Sequence, residues 1–144
     1  MAVMTNEQLF TYYFDEVANG DKLDLADEIF AANYKHHDPA NPDPRPMIGP
    51  QAVKDHLTSL KGAFPDLVFD VEDMISDGDQ IIVRWTARGT NTGDYFGIPP
   101  SGKPIEITGM NTWQTRDGKA IEGWVNRDDM LLMQQIGVVP TPGG

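Results

Sequence analysis

Around Phe64-Pro65 the hydrophobic period of this chain changes from three-to-four residues to two, and that change restricts the fold more than any single motif. Before it, Leu9, Phe10, Tyr13, Phe14 and Val17 recur at helical spacing behind Thr5 or Asn6 as a cap, which predicts an amphipathic helix over residues 5–17. Leu23, Leu25, Ala26, Ile29 and Phe30 predict a second, shorter helix, and Val53, His56, Leu57, Leu60 and Phe64 a third over about residues 49–64. Beyond it, Leu67, Phe69 and Val71 alternate with polar neighbours. Residues 80–90 then set Val83, Trp85 and Ala87 on one face against Ile82, Arg84, Thr86 and Arg88 on the other. Residues 103–115 and 120–127 predict two more strands, joined by the turn Arg116-Asp-Gly-Lys119. Helices followed by antiparallel strands argue for the α+β class: a curved sheet packed against about three N-terminal helices. One domain over residues 1–144 is expected, with 140–144 a flexible tail.

Two connections stand out. His36-His-Asp-Pro-Ala-Asn-Pro-Asp-Pro-Arg-Pro46 has four prolines in eleven residues, so an ordered loop is expected there. Residues 91–102 are rich in Gly and Pro, but no Gly-Lys-Ser/Thr follows a strand, so they are no phosphate loop.

Composition narrows the function classes. A net charge of −11 argues against non-specific binding to nucleic acid or an anionic membrane. With no cysteine, disulfides, thiolate metal sites and cysteine nucleophiles are excluded. The first eight residues have no basic stretch followed by an apolar run, so no signal peptide and a cytoplasmic location are expected. Adjacent His36 and His37 diverge on an extended chain and no His-x₃-His spacing occurs, so no metal is expected.

The chemistry-bearing segment is Glu122-Gly-Trp-Val-Asn-Arg-Asp-Asp129, at the seam between a strand pattern and a final helix. Alternation gathers Glu122, Trp124, Asn126 and Asp128 on one face, a mixture suited to the wall of a partly apolar pocket with one proton-transfer group. The bland alternative is that Asp128 or Asp129 caps the last helix. His37 either donates to a substrate at the cavity mouth or packs beneath an Asp38 turn; His36 is expected to be exposed, and His56 a packing residue. Trp113, Asn111, Trp85 and Tyr13, with Phe10, Phe14, Met110 and Met130, are expected to line the interior. An epoxide-hydrolase-type Asp–Arg–Asp arrangement finds Asp128 and Arg84 as members, but Arg84 falls on the wrong strand face and no second inward acid is evident.

Several words in order resemble the SnoaL-like polyketide cyclases, or ester cyclases, of the nuclear transport factor 2-like superfamily. They are His37-Asp38-Pro39, Gly49-Pro-Gln-Ala-Val, Phe64-Pro-Asp-Leu, Arg84-Trp-Thr-Ala-Arg-Gly-Thr and Gly93-Asp-Tyr-Phe-Gly-Ile-Pro-Pro-Ser-Gly-Lys103. Asp117-Gly-Lys119, the Glu122–Asp129 segment and Gln134-Gln-Ile-Gly-Val138 complete the series. The resemblance implies a cone-shaped barrel around an apolar cavity, homodimers or homotetramers, and cofactor-free ring closure of an apolar carbonyl compound by aldol chemistry. It carries the acid/base role onto Asp128; His37, Asn126 or Asn111 are expected beside it as orienting donors. Ketosteroid-isomerase-like proton transfer and a non-catalytic small-molecule-binding module remain open beside it. The chain departs from its relatives at Asn91, where many have histidine, at 110–115, where characterised cyclases carry a histidine, and at Arg127, where many have an aromatic.

Overall fold

The computed structural model describes residues 4–143; residues 1–3, read above for a signal, and residue 144 of the expected tail lie outside it. Helix α1 (Asn6–Tyr12) starts on a reciprocal cap: Thr5 Oγ1 accepts the Gln8 amide at 3.1 Å and Gln8 Oε1 accepts the Thr5 amide at 3.0 Å. It runs on as a π-helical segment, Tyr13–Ala18, so the single predicted helix is one continuous rod with a widened second half. A 3₁₀ turn, Leu23–Leu25, and α2 (Ala26–Ile29) follow. Helix α3 (Gly49–Ala63) buries Val53, Leu57, Leu60 and Ala63, and α4 (Asp129–Gln135) closes the chain. Among the described residues no helix is long and apolar enough to cross a membrane.

The strands are β1 (Phe30–His37), β2 (Met47–Ile48), β3 (Val68–Asp77), β4 (Gln80–Thr90), β5 (Pro104–Arg116) and β6 (Lys119–Arg127). They form one sheet in the order β2-β1-β6-β5-β4-β3. All neighbours are antiparallel except β1 and β6, which run parallel. Strand β1 departs from the sequence reading, which gave Phe30 to a helix and began a loop at His36. Its residues, Phe-Ala-Ala-Asn-Tyr-Lys-His-His, include no β-branched side chain, and its fully buried pair, Phe30 and Tyr34, is spaced as on a helix. A four-residue step fits one face of a strand as well, so that spacing does not separate the two; the pairing with β6 shifts register between Phe30 and Lys35.

One face of the sheet carries the helices. Ile81, Val83, Trp85, Ala87, Ile105, Ile107, Trp113 and Val125 are buried on it against Phe10, Tyr13, Phe14, Leu57 and Phe64. Phe10 stacks on Trp113 with centroids 4.0 Å apart. The opposite face meets solvent. There Arg84 pairs with Asp73 at 2.7 Å and Arg88 with Glu106 at 2.6 Å, while Ile75, Ile82 and Met110 are exposed.

Candidate active site

Strand β6 runs through the middle of the sheet, and its alternation fixes what enters the interior. The inner residues are Gly123, Val125 and Arg127; Glu122, Trp124, Asn126 and Asp128 lie on the solvent side. The expected assignment of faces is therefore reversed. Space over residue 123 is already occupied: a Cβ there would come 2.1 Å from Tyr34 Oη and 2.8 Å from Trp113 Nε1. Only glycine fits, and Trp124 must turn outward.

Four expected site residues consequently leave the interior. Asp128 is exposed and caps α4, its Oδ1 accepting the Leu131 amide at 3.0 Å, which is the bland alternative named above. Asn126 is exposed. His37 stacks on Trp124 on the outer face, with centroids 5.3 Å apart and 17° between planes, and its Nε2 lies 2.7 Å from Glu122 Oε2. Met110 and Met130, expected in the lining, are 49% and 61% exposed. The other four stay inside: Trp113, Trp85, Tyr13 and Asn111 are buried, Asn111 Oδ1 accepting Trp85 Nε1–H at 2.7 Å.

What the inner face gathers instead is charge. The Arg127 guanidinium, with its side chain only 6% exposed, donates through Nη1 to Asp38 Oδ2 at 2.7 Å and through Nε to Asp129 Oδ1 at 2.8 Å. Asp38 belongs to the proline-rich connection, and its other oxygen accepts the Ala40 amide at 3.1 Å, so both its oxygens are engaged. Asp129 keeps Oδ2 free of hydrogen bonds among the described residues and is more accessible, at 27% against 1% for Asp38. A buried ion pair of this kind costs desolvation, and extra hydrogen bonds offset it.

Two histidines complete the cluster. His36 shares the inner face of β1 with Tyr34, not the exposed position expected, and its ring lies 6.0 Å from that of His56 on α3. Burial lowers both imidazoles to about 4, the Arg127 charge acting with it and the Asp38 carboxylate against it, so they are neutral at physiological pH. Burial raises the hydroxyl of Tyr95, which lies beside Arg127.

Arg127 also borders a void of about 30 Å³ whose other walls, including Phe64, Leu67, Trp85, Tyr95 and Ile107, are aromatic or aliphatic. That holds about one water, so a ring-sized ligand requires the walls to part. On the other side, His56 floors a polar cavity of about 310 Å³ between the proline-rich loop and α3, with Phe96 at its rim. A broader groove of about 880 Å³ runs along the edge past Arg88, Lys103 and Glu106. It lies on the surface, and its Arg88 is already paired with Glu106 and Asp70. We place the candidate site at the Arg127 cluster, where charge meets an apolar interior. Among the described residues no group of His, Asp or Glu is arranged to hold a metal ion.

The glycine-rich connection is a clamp. Asn91, fully buried, accepts the Ser101 amide at 2.8 Å and donates to Gly93 O at 2.9 Å, pinning residues 91–103 as the wall that carries Tyr95. Sequence reasoning missed Arg127, Asp129, His36 and Asp38 as a unit; the same alternation, with glycine at 123 read as the crowded position, would have found Arg127.

A curved α+β sheet closed by helices around a mixed polar and apolar interior is the architecture of the nuclear transport factor 2-like class. The family model of SnoaL-like polyketide cyclases matches residues 9–136, and the chain belongs to that family. Similar solved structures include a candidate SnoaL-like polyketide cyclase from Jannaschia sp. CCS1, 24% identical over 94% of this chain and 93% of that one, with a TM-score of 0.83. IdmH, a candidate polyketide cyclase from Streptomyces antibioticus, is 26% identical over 94% and 100%, with a TM-score of 0.78. TsrD from Streptomyces laurentii is 22% identical over 92% and 95%, with a TM-score of 0.81. No curated protein matches the chain.

Proposed function

We propose that this protein carries out cofactor-free acid/base chemistry on an apolar carbonyl compound, by intramolecular aldol cyclisation or a related proton transfer, at the Arg127 cluster. The observation that carries the reading is a buried arginine holding two carboxylates beside an apolar void. In this reading Asp129, through its free Oδ2, removes the proton next to the carbonyl and later returns one to the alkoxide. Arg127 and the neutral imidazoles stabilise charge developing on the carbonyl oxygen. Asp38, with both oxygens engaged, holds Arg127 in place. The role that the resemblance carries onto Asp128 passes to its neighbour. With a substrate in hand, Asp129→Asn is expected to lower kcat by about 10²-fold or more, and Asp128→Asn to leave it within a few-fold. Full turnover by Asp129→Asn would overturn the assignment. Binding of aromatic ketones without conversion would favour a binding module.

One observation favours a second reading, hydrolysis of an epoxide: Asp38, Arg127 and Asp129 form the Asp–Arg–Asp arrangement that the sequence did not reveal. Formation of diol from limonene oxide would support it, though the full engagement of Asp38 weighs against it. For assembly, we propose a homodimer through the solvent face of the sheet, where Ile75, Ile82 and Met110 are exposed beside Trp124. A monomer in size-exclusion chromatography at micromolar concentration would contradict this.

A further inference from the structure

We infer that Tyr34 fixes His36 as the tautomer protonated on Nε2, and that this N–H is the hydrogen-bond donor to the substrate carbonyl; the second half rests on the site proposed above. Trp113 Nε1–H can only donate, and it lies 3.1 Å from Tyr34 Oη. The phenol oxygen is thus an acceptor toward Trp113. Its own O–H needs an acceptor, because Tyr34 is fully buried, and the one within reach among the described residues is His36 Nδ1 at 2.8 Å. Donation from Tyr34 to Nδ1 leaves the ring proton on Nε2.

The chain is built in. Residue 123 must be glycine for Tyr34 Oη and Trp113 Nε1 to meet, since a Cβ there would overlap both. Nδ1 is directed to this deep pair, while Nε2 has no hydrogen-bond partner among the described residues. Among the described residues no buried polar side-chain atom is left unsatisfied, so Nε2 is reached by solvent. Around the ring stand His56, Asp38, Arg127 and His37, and burial keeps it neutral. His36 thus presents one fixed N–H beside Arg127, suited to a neutral carbonyl oxygen or to the enolate formed from it. Tyr34 and Trp113 are positioning residues acting through it.

The test uses long-range ¹H–¹⁵N spectra of the histidines in the full chain at neutral pH. His36 is expected to show a protonated Nε2 and an unprotonated Nδ1; a proton on Nδ1, or on both nitrogens, overturns the tautomer assignment whatever the site does. Tyr34→Phe removes the donor to Nδ1, so His36 should protonate at a higher pH than in the wild type; an unchanged titration overturns the positioning role. Should that variant not fold, the wild-type spectrum still decides. Addition of 1-tetralone is expected to shift the His36 Nε2 resonance, and His36→Phe to weaken its binding roughly 5- to 10-fold. Perturbation at Arg127 and Asp129 with Nε2 unmoved overturns the donor role alone. Perturbation at none of them overturns both the donor role and the site.

Discussion

The two faces of β6 carry opposite chemistry on one strand. Inside are Gly123, Val125 and Arg127, beneath Tyr34 and Trp113 and beside the buried carboxylate of Asp38 and the half-buried one of Asp129. Outside are Glu122, Trp124 and Asn126, with His37 laid on the indole. Alternation sorts residues into these two sets but does not say which set meets the helices. Here the neighbouring strands decide: once Trp113 and Tyr34 occupy the space above residue 123, the smallest residue goes inward and the largest outward. A tryptophan in the pattern is a poor marker of the inner face when an adjacent strand already supplies one.

Paired substitutions across the strand break or sharpen this contrast. The largest effect is expected at Arg127→Met, which leaves Asp38 buried without its cation and should cost about 3–5 kcal/mol in urea unfolding. Asn126→Met, one residue away but exposed, should stay within about 0.5 kcal/mol. Gly123→Ala forces a methyl against Tyr34 and Trp113 and should cost ~1–3 kcal/mol; a neutral result would mean the inner face is looser than described. Asp128→Ala removes the α4 cap and should cost ~1 kcal/mol. Separate from these single substitutions is a pH dependence on the inner side. His36 and His56 have folded values near 4 against 6.5 when unperturbed. The unfolded chain therefore binds more protons as pH falls between those values, and stability declines there. Replacing both by Phe should flatten the urea midpoint across that window, and replacing outer His37 should not.

Much of the fold was legible in the sequence because its periods are clean. The α3 pattern and the alternation of 80–90 stand in the structure as α3 (Gly49–Ala63) and β4 (Gln80–Thr90), and Arg84 and Arg88 lie on the solvent face as read. Strand β1 was not legible, because its alanines and polar residues have no strand signature and its pairing with β6 is parallel and long-range. The site suffered from the same gap. His36 and His37 exchange roles once β1 is a strand whose even residues, Tyr34 and His36, face inward. The Asp38–Arg127 pair joins residues 89 apart in sequence, a proximity that no local pattern encodes.

The most direct test of the central claim is a titration of the labelled protein with 1-tetralone, followed by backbone and side-chain ¹H–¹⁵N spectra. The account predicts perturbations centred on Arg127, Asp129, His36, Trp85 and Tyr95. Perturbations centred on His37, Trp124, Asn126 and Asp128, with the inner residues unmoved, would contradict it.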